Sequence, residues 1–348
     1  MNRIRWWRVQ SNADHRLTLL HPFRMRTKNL CVKRTLNPEP RTPNPMIILS
    51  EATLQNPTTP SEQNNRDLTD AAQMAGCKVY FIPSDFSVCE TAENALWHIP
   101  EQPTETAGVW IGFIPSAERY AAIYTEALKK GIRLINSIDE HLTAQEFDRA
   151  YPLLSGLTPE SRTLTSLEET APVGEALGFP LFVRGSARSS KSDGWSACVA
   201  DSPDEFHQIV ERYFASQYRS RGRVIARKLV QFKAVRSSDK GFPFGREFRT
   251  FICHGEIVAC GYYWDGHDPL MHLSPTEATQ VANLALEAAA RLKVPFVAVD
   301  VGQLVNDEWI VIEVNDAQFA GTTSQINRLA FWNSVAERLV FTRQGGGK

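Results

Sequence analysis

Two long apolar runs near the C-terminus, FVAVDVGQLVNDE (296–308) and WIVIEVNDAQFAG (309–321), each carry a carboxylate that a buried strand does not tolerate alone. Asn306-Asp307 is the only turn-forming pair between them, which predicts a β-hairpin over 296–315. Centring the turn there pairs residues whose numbers sum to 613. Asp300 then stands directly opposite Glu313, and Asn315 shares their face. Val297, Val299, Val301, Ile310, Ile312 and Val314 fall on the other, apolar face. Opposed carboxylates, roughly 5 Å apart at Cβ, destabilise a sheet. A hard divalent cation removes the conflict; so does protonation of one acid, or pairing of each with an arginine such as Arg249. The metal reading is preferred, because Mg2+ is held by one or two carboxylates together with substrate phosphates.

The phosphate partner for such a cation lies upstream. GFPLFVRGSARSSKSDGWSACV (178–199) reads as an apolar strand ending in Arg184, a loop of small and basic residues (185–194), and a second strand, WSACVA. Small residues let the backbone approach a ligand, and loop N–H groups with Arg188 and Lys191 can surround a polyphosphate. A flexible hairpin tip with solvated charges is the plain alternative. No GxxxxGK[ST] occurs, so this is not a Walker loop. A capped helix over 202–216, a strand over 222–232 and two strands over 245–264, turning at His254-Gly255, follow. An alanine-rich helix (276–295) is scaffold, Tyr262-Tyr263-Trp264 read as sheet packing, and an amphipathic helix (331–341) closes the chain.

Residues 46–150 have a different texture. Strands at 46–49, 77–83, 108–115 and 132–137 alternate with helices at 67–76 and 116–131, which predicts a small, mainly parallel sheet. The 348-residue chain is 43% apolar and 22% charged, and no window is long and apolar enough to suggest a membrane span. The six cysteines form no CxxC pair and read as reduced thiols of a cytoplasmic protein. Cys253, His254 and Cys260 with His267 and His272 match no zinc spacing. The formal net charge of −1 predicts neither a nucleic-acid nor a membrane partner. Residues 1–45 are the exception, with ten Lys/Arg against Asp14 and Glu39, and they end in NPEPRTPNP. A targeting segment, a nucleic-acid arm and an upstream extension are the competing readings, and a disordered or non-native basic extension before Met46 is preferred.

The order Arg-ended strand, small-residue loop, hinge strand, GRE (245–247), Asp300 and EVN (313–315) resembles the ATP-grasp superfamily, mostly carboxylate–amine ligases, over about 178–324. The resemblance implies a mixed α/β (α+β) ATP-grasp fold: a pre-ATP-grasp domain over 46–150 and an ATP-grasp domain over 151–342. It implies that Asp300, Glu313 and Asn315 hold Mg2+, or Mn2+ in its place. It further implies that Lys228, Leu229 and Val230 form the hinge that hydrogen-bonds adenine, and that Glu247 contacts the ribose. The loop 185–194, with Lys191, would cover the phosphates of ATP.

The departures are specific. Arg184 stands where most members carry a nucleotide-binding lysine, and Ala298 stands where many ligases carry an arginine. The exchange resembles the branch in which Arg and Lys have swapped roles, with Lys228 as the compensating cation. DAQFAG replaces the usual Pro-Gly after the metal asparagine, so the acceptor is not inherited from better-known members. By resemblance the reaction is ATP-dependent amide formation through an acyl phosphate, with Arg249 and Lys191 as catalytic cations. Arg249 has an equal alternative as the ion-pair partner of Glu247 or of a metal-site acid. Expected partners are small-molecule or peptide carboxylates and amines, with room for a homodimer. The rival functions are an ATP-dependent phosphotransferase and a nucleotide-binding module without turnover.

Overall fold

The computed structural model describes residues 46–345 apart from Leu54 and residues 86–88, with side chains as far as Leu339. The basic extension expected over 1–45 lies outside the described residues.

The N-terminal sheet is built from β1 (Ile47–Ser50), β2 (Lys78–Phe81), β3 (Thr106–Ile111) and β4 (Ile132–Leu134) in the order β2-β1-β3-β4, all parallel. Helices Pro60–Met74 and Ala117–Lys129 supply the crossovers that parallel pairing requires. The first begins seven residues before the expected Asp67. Thr59 caps it and Glu62 returns a bond to the Thr59 N–H, a capping box hidden in a stretch that reads as merely polar.

A second, antiparallel sheet runs β5 (Ser161–Leu164), β8 (Val224–Lys228), β6 (Leu181–Gly185), β7 (Val199–Ala200). Only Val199–Ala200 of the expected strand WSACVA pairs; Trp195–Ala197 is a 3-10 turn, because Gly194 enters it at φ 106°. β9 (Ala234–Ser237) and β10 (Pro243–Gly245) form a separate hairpin. The third sheet, β12-β11-β13-β14, is antiparallel and comprises β11 (Glu247–Cys253), β12 (Glu256–Tyr262), β13 (Phe296–Gln303) and β14 (Trp309–Asp316). His254 and Gly255 turn β11 into β12 with φ of 48° and 78°. Among the described residues no helix is long and apolar enough to cross a membrane.

The β13–β14 register places Asp300 opposite Glu313, as the turn position predicts, but by a different route. At the tip Gln303 faces Trp309, one residue out of the predicted register, and a β-bulge between Asp300 and Val301 restores it. The bulge also corrects the face assignment. Val311 enters the core with Val297, Val299, Val301 and Val314, while Ile310 and Ile312 turn to the carboxylate face and line a cavity. Gly302 makes room for this: a Cβ there would lie 2.5 Å from Ile312 Cδ1 and 2.7 Å from Phe232 Cε1.

The two faces of the third sheet have separate tasks. Phe248, Ile252 and the valines of β13 pack against helix Pro275–Leu292 through Val281, Ala285, Ala288 and Ala289. On the opposite face Phe251, Cys253, Phe296 and Ala298 pack against Leu68, Ala71 and Ala72 of the N-terminal helix and Phe331, Trp332 and Val335 of the last one. Further along that face β11, β13 and β14 turn from apolar to charged.

A buried polar knot fixes the N-terminal sheet to β14. Asn136, fully buried, donates to the Phe296 carbonyl and to Asp316 Oδ1, both at 2.8 Å, and accepts from the Phe296 N–H at 2.9 Å. His141 Nδ1 meets Asp316 Oδ2 at 2.8 Å, and the imidazole stacks on Tyr120 with ring centroids 3.8 Å apart. Each group finds a partner that lowers the cost of its burial. The knot holds the residue immediately after Asn315.

Candidate active site

An enclosed cavity of about 310 Å³ lies between the second and third sheets. Strand alternation aims Phe182 and Arg184 of β6 and Arg227 of β8 at it from one side. Glu247 of β11 and Ile310, Ile312 and Glu313 of β14 face it from the other. The chain leaving β8 at Lys228 forms one edge through Leu229, Val230 and Phe232, and Lys191, Trp195 and Phe242 border it from the loop side. That edge is tied to the β13–β14 hairpin by Lys233 N–H to Gln303 O at 2.9 Å and Val305 N–H to Gln231 O at 3.1 Å. Among the described residues no hydrogen bond engages the Leu229 carbonyl or either main-chain group of Val230.

The charged end is a lattice of crossed pairs. Arg249 grips Asp300 with Nε and Nη2, both at 2.8 Å, and gives Nη1 to the Gly321 carbonyl at 2.9 Å. Its guanidinium lies 4.6 Å from the Tyr263 ring centre. Arg184 Nη1 meets Glu313 Oε1 at 2.8 Å. Both acids therefore carry an arginine, the pairing that the sequence leaves open beside the metal. Burial alone would raise Glu313, yet Arg184, Lys191 and Arg249 hold its carboxyl down to about 2. Glu247 has the opposite fate: burial pushes it up to about 7, with Lys191 opposing and Asp300 and Glu313 adding to the rise. Burial depresses the Lys191 ammonium, but Glu247 and Glu313 outweigh this and lift it above its ordinary range.

The residues expected from the sequence divide accordingly. Arg184, Lys191, Lys228, Leu229, Val230, Glu247 and Glu313 share the cavity wall. Asp300, Arg249 and Asn315 stand beyond it on the charged part of the same sheet, where Asp300 pairs across to both Arg249 and Glu313. Lys228 is not the compensating cation: its ammonium sits 2.8 Å from Glu160 at the exposed rim. Arg188 turns away from this cavity and lines another. Tyr263 is not simple sheet packing either, since it lies over Arg249.

Arg227 is a site residue that sequence reasoning misses. It is 5% exposed, donates to the Ile312 carbonyl at 2.7 Å and lies 4.3 Å from the Phe147 ring centre, while Nε and Nη2 are buried without hydrogen-bond partners. Burial first, and then Arg184 beside it, pull its pKa down to about 9. A signal exists: in VIARK the charge falls on an inward position of an apolar strand, the same anomaly that marks Asp300.

The donors fit a hard cation in kind, being carboxylate and amide oxygens on adjacent strands. Among the described residues no three His, Cys, Asp or Glu side chains converge, so a cation there needs Asn315 and ligand oxygens to complete its shell.

Residues 173–335 match a family model described as an ATP-grasp domain, family 3 of its clade. None of the curated proteins matches the chain. Among solved structures, D-alanine–D-alanine ligase from Bacillus anthracis complexed with ATP is similar over 87% of this chain and 99% of its own, at TM-score 0.61 and 14% identity. A RimK domain ATP-grasp protein from Sphaerobacter thermophilus aligns over 84% of this chain and 98% of its own, at TM-score 0.55 and 13% identity. The D-cycloserine synthetase DcsG aligns over 84% and 99%, at TM-score 0.54 and 16% identity. Identities this low establish likeness of fold.

Proposed function

Because residues 173–335 form an ATP-grasp domain, we propose that the protein is an ATP- and Mg2+-dependent ligase that joins a carboxylate to an amine. The observation that carries this reading is the single cavity in which the Leu229–Val230 edge meets Arg184, Lys191, Glu247 and Glu313. An apolar slot with unengaged main-chain groups suits an adenine, and a cationic end suits polyphosphate. On this reading residues 46–150 are the pre-ATP-grasp domain, 151–342 the ATP-grasp domain and 185–194 the phosphate loop.

Asp300, Glu313 and Asn315 would hold the Mg2+, which when bound neutralises phosphate charge. Arg184 and Lys191 orient the phosphates, Glu247 accepts from the ribose, and Arg249 fixes Asp300 while turning a guanidinium edge toward the transferring group. A substrate carboxylate oxygen attacks the γ-phosphorus of ATP, giving an acyl phosphate and ADP. The amine then attacks the acyl carbon, phosphate departs with the C–O electron pair, and the amine proton passes to solvent.

Mg2+-dependent ADP release from the full chain, with pooled amino acids and small peptides, tests the proposal. A pool that stimulates release in the wild type and not in Asp300→Asn supports it, and an acid that needs an amine for full turnover separates ligase from phosphotransferase. The closure of both Asp300 oxygens by Arg249 favours one second reading, a nucleotide-binding module without turnover. That reading predicts ATP binding with no stimulated release from any pool.

A further inference from the structure

A second cavity, about 530 Å³, lies on the far side of the Arg184–Arg188 turn from the first. Its lining includes Arg149, Arg188, Arg221 and Arg223 against two acids, Glu118 and Glu146. Glu146 is saturated: Arg149 at 3.0 Å, Arg221 at 2.8 Å and Arg223 at 2.6 Å share its two oxygens, and Arg223 also reaches Asp148 at 2.9 Å. Neighbouring Arg219 is engaged by Asp193 at 2.8 Å.

That leaves Arg188. Among the described residues it has no carboxylate partner; its guanidinium touches only the Ile114 carbonyl, at 3.4 Å, and lies 4.2 Å from the Tyr218 ring centre. Its backbone is pinned, with the Ala187 and Arg188 N–H groups both donating to the Arg219 carbonyl at 3.0 and 3.2 Å. The side chain is therefore a cation held in place rather than a loose surface arginine. Burial, and then Arg221 and Arg219 beside it, lower its pKa to about 10, which leaves it charged at neutral pH and in a field of like sign. Ser116 and Ala117 add the N-terminal end of the thirteen-residue helix Ala117–Lys129 to the same wall. A cavity with surplus fixed positive charge and an unspent planar fork is complementary to an anion that accepts two parallel hydrogen bonds.

We propose that this cavity is a binding site for a small anion, a carboxylate or a phosphate ester, with Arg188 as its principal contact and Tyr218 as the ring that holds the guanidinium in place. Arg221 and Arg223 contribute field while remaining on Glu146. The proposal is separate from the ligase reading, since it needs neither ATP turnover nor a particular acceptor.

The test uses the full chain with Mg2+ and a saturating non-hydrolysable ATP analogue, so that probes cannot enter the first cavity. Inorganic phosphate and succinate are titrated separately, with melting temperature and calorimetric heat as readouts. The expected result is saturable binding of at least one probe, weakened at least tenfold in Arg188→Gln, with analogue affinity unchanged. The tighter probe then distinguishes a phosphate-bearing ligand from a carboxylate. Tyr218 is 61% exposed, so Tyr218→Ala tests the site without risk to the core; a several-fold loss of probe affinity is expected. Absence of saturable binding for both probes, equal binding by wild type and both variants, or competition between probe and analogue each overturns the proposal. So does a loss of analogue affinity in Arg188→Gln, which would return Arg188 to the nucleotide phosphates. If the chain binds no nucleotide at all, the ligase reading fails, and the Arg188-dependent binding of the probes still decides this one.

Discussion

Arg249 and Asp300 face each other across β11 and β13 and share two hydrogen bonds of 2.8 Å, both residues being less than 10% exposed. Breaking a buried pair from one side strands the other charge, at a cost of about 3–5 kcal/mol, whereas replacing both partners is far cheaper. Arg249→Met is therefore expected to lower stability by that amount, read as a shifted urea midpoint with an unchanged m-value, and Arg249→Met/Asp300→Leu to recover most of the loss. A single variant within about 1 kcal/mol of wild type would show that the pair is not the lock described here.

Lys191 and Lys228 both border the nucleotide cavity, but only Lys191 points its charge at Glu247 and Glu313. A hydrogen bond from a charged donor to phosphate contributes about 1.5–3 kcal/mol, or roughly 10- to 100-fold in Kd. Lys191→Met should weaken ADP and ATP analogue binding by that factor in calorimetry. Lys228→Met removes a surface pair with Glu160, worth under about 1 kcal/mol, and should cost no more than about fivefold. Equal losses in the two variants would contradict the assignment.

Much of this arrangement is legible in the sequence, for a definite reason. Asp300 and Glu313 interrupt strands that are otherwise apolar, so period-two alternation fixes both their face and their mutual position. The bulge at Ile312 has no such mark, because a hairpin one residue longer differs only in which isoleucine meets water. Direction is also hidden for Arg188, Lys228 and Arg249. A basic residue near a ligand site reads identically whether it serves the ligand or an acid such as Glu160 or Asp300, and only tertiary contacts separate the two. The early start of helix Pro60–Met74 is legible through Thr59 and Glu62, but its polar first turns mask the apolar period.

Two buried carboxyls give the fold a pH dependence of unusual sign. Burial pushes Glu247 and Glu51 each up to about 7, against the pull of Lys191 on the first and of the Phe113 N–H and Arg119 on the second. Between the unfolded value of 4.5 and about 7 the folded state holds protons that the unfolded chain has released. Stability therefore falls as pH rises through that window, by at most roughly 3 kcal/mol for each group. Glu247→Gln and Glu51→Gln should each flatten part of the slope in denaturant titrations from pH 5 to 8. Lys191→Met, by removing a cation from Glu247, should move the upper end of the window to higher pH. A slope of opposite sign in the wild type would refute the argument.

The Asn136 amide ties the N-terminal sheet to the strand that carries Asn315, meeting both main-chain groups of Phe296 and Asp316 Oδ1. Leucine is close to asparagine in volume but satisfies none of these three groups. An unsatisfied buried polar group costs about 1–3 kcal/mol, so Asn136→Leu is expected to destabilise the fold by about 3 kcal/mol or more. Because Asp316 follows Asn315 directly, the same substitution should also weaken the Mg2+ dependence of nucleotide binding, although Asn136 reaches no ligand itself. Parallel measurements of melting temperature and of Mg2+-dependent ADP affinity check both parts. Lost stability with full Mg2+ coupling would confine the knot to folding, while loss of both would show that Asn315 depends on it for its position.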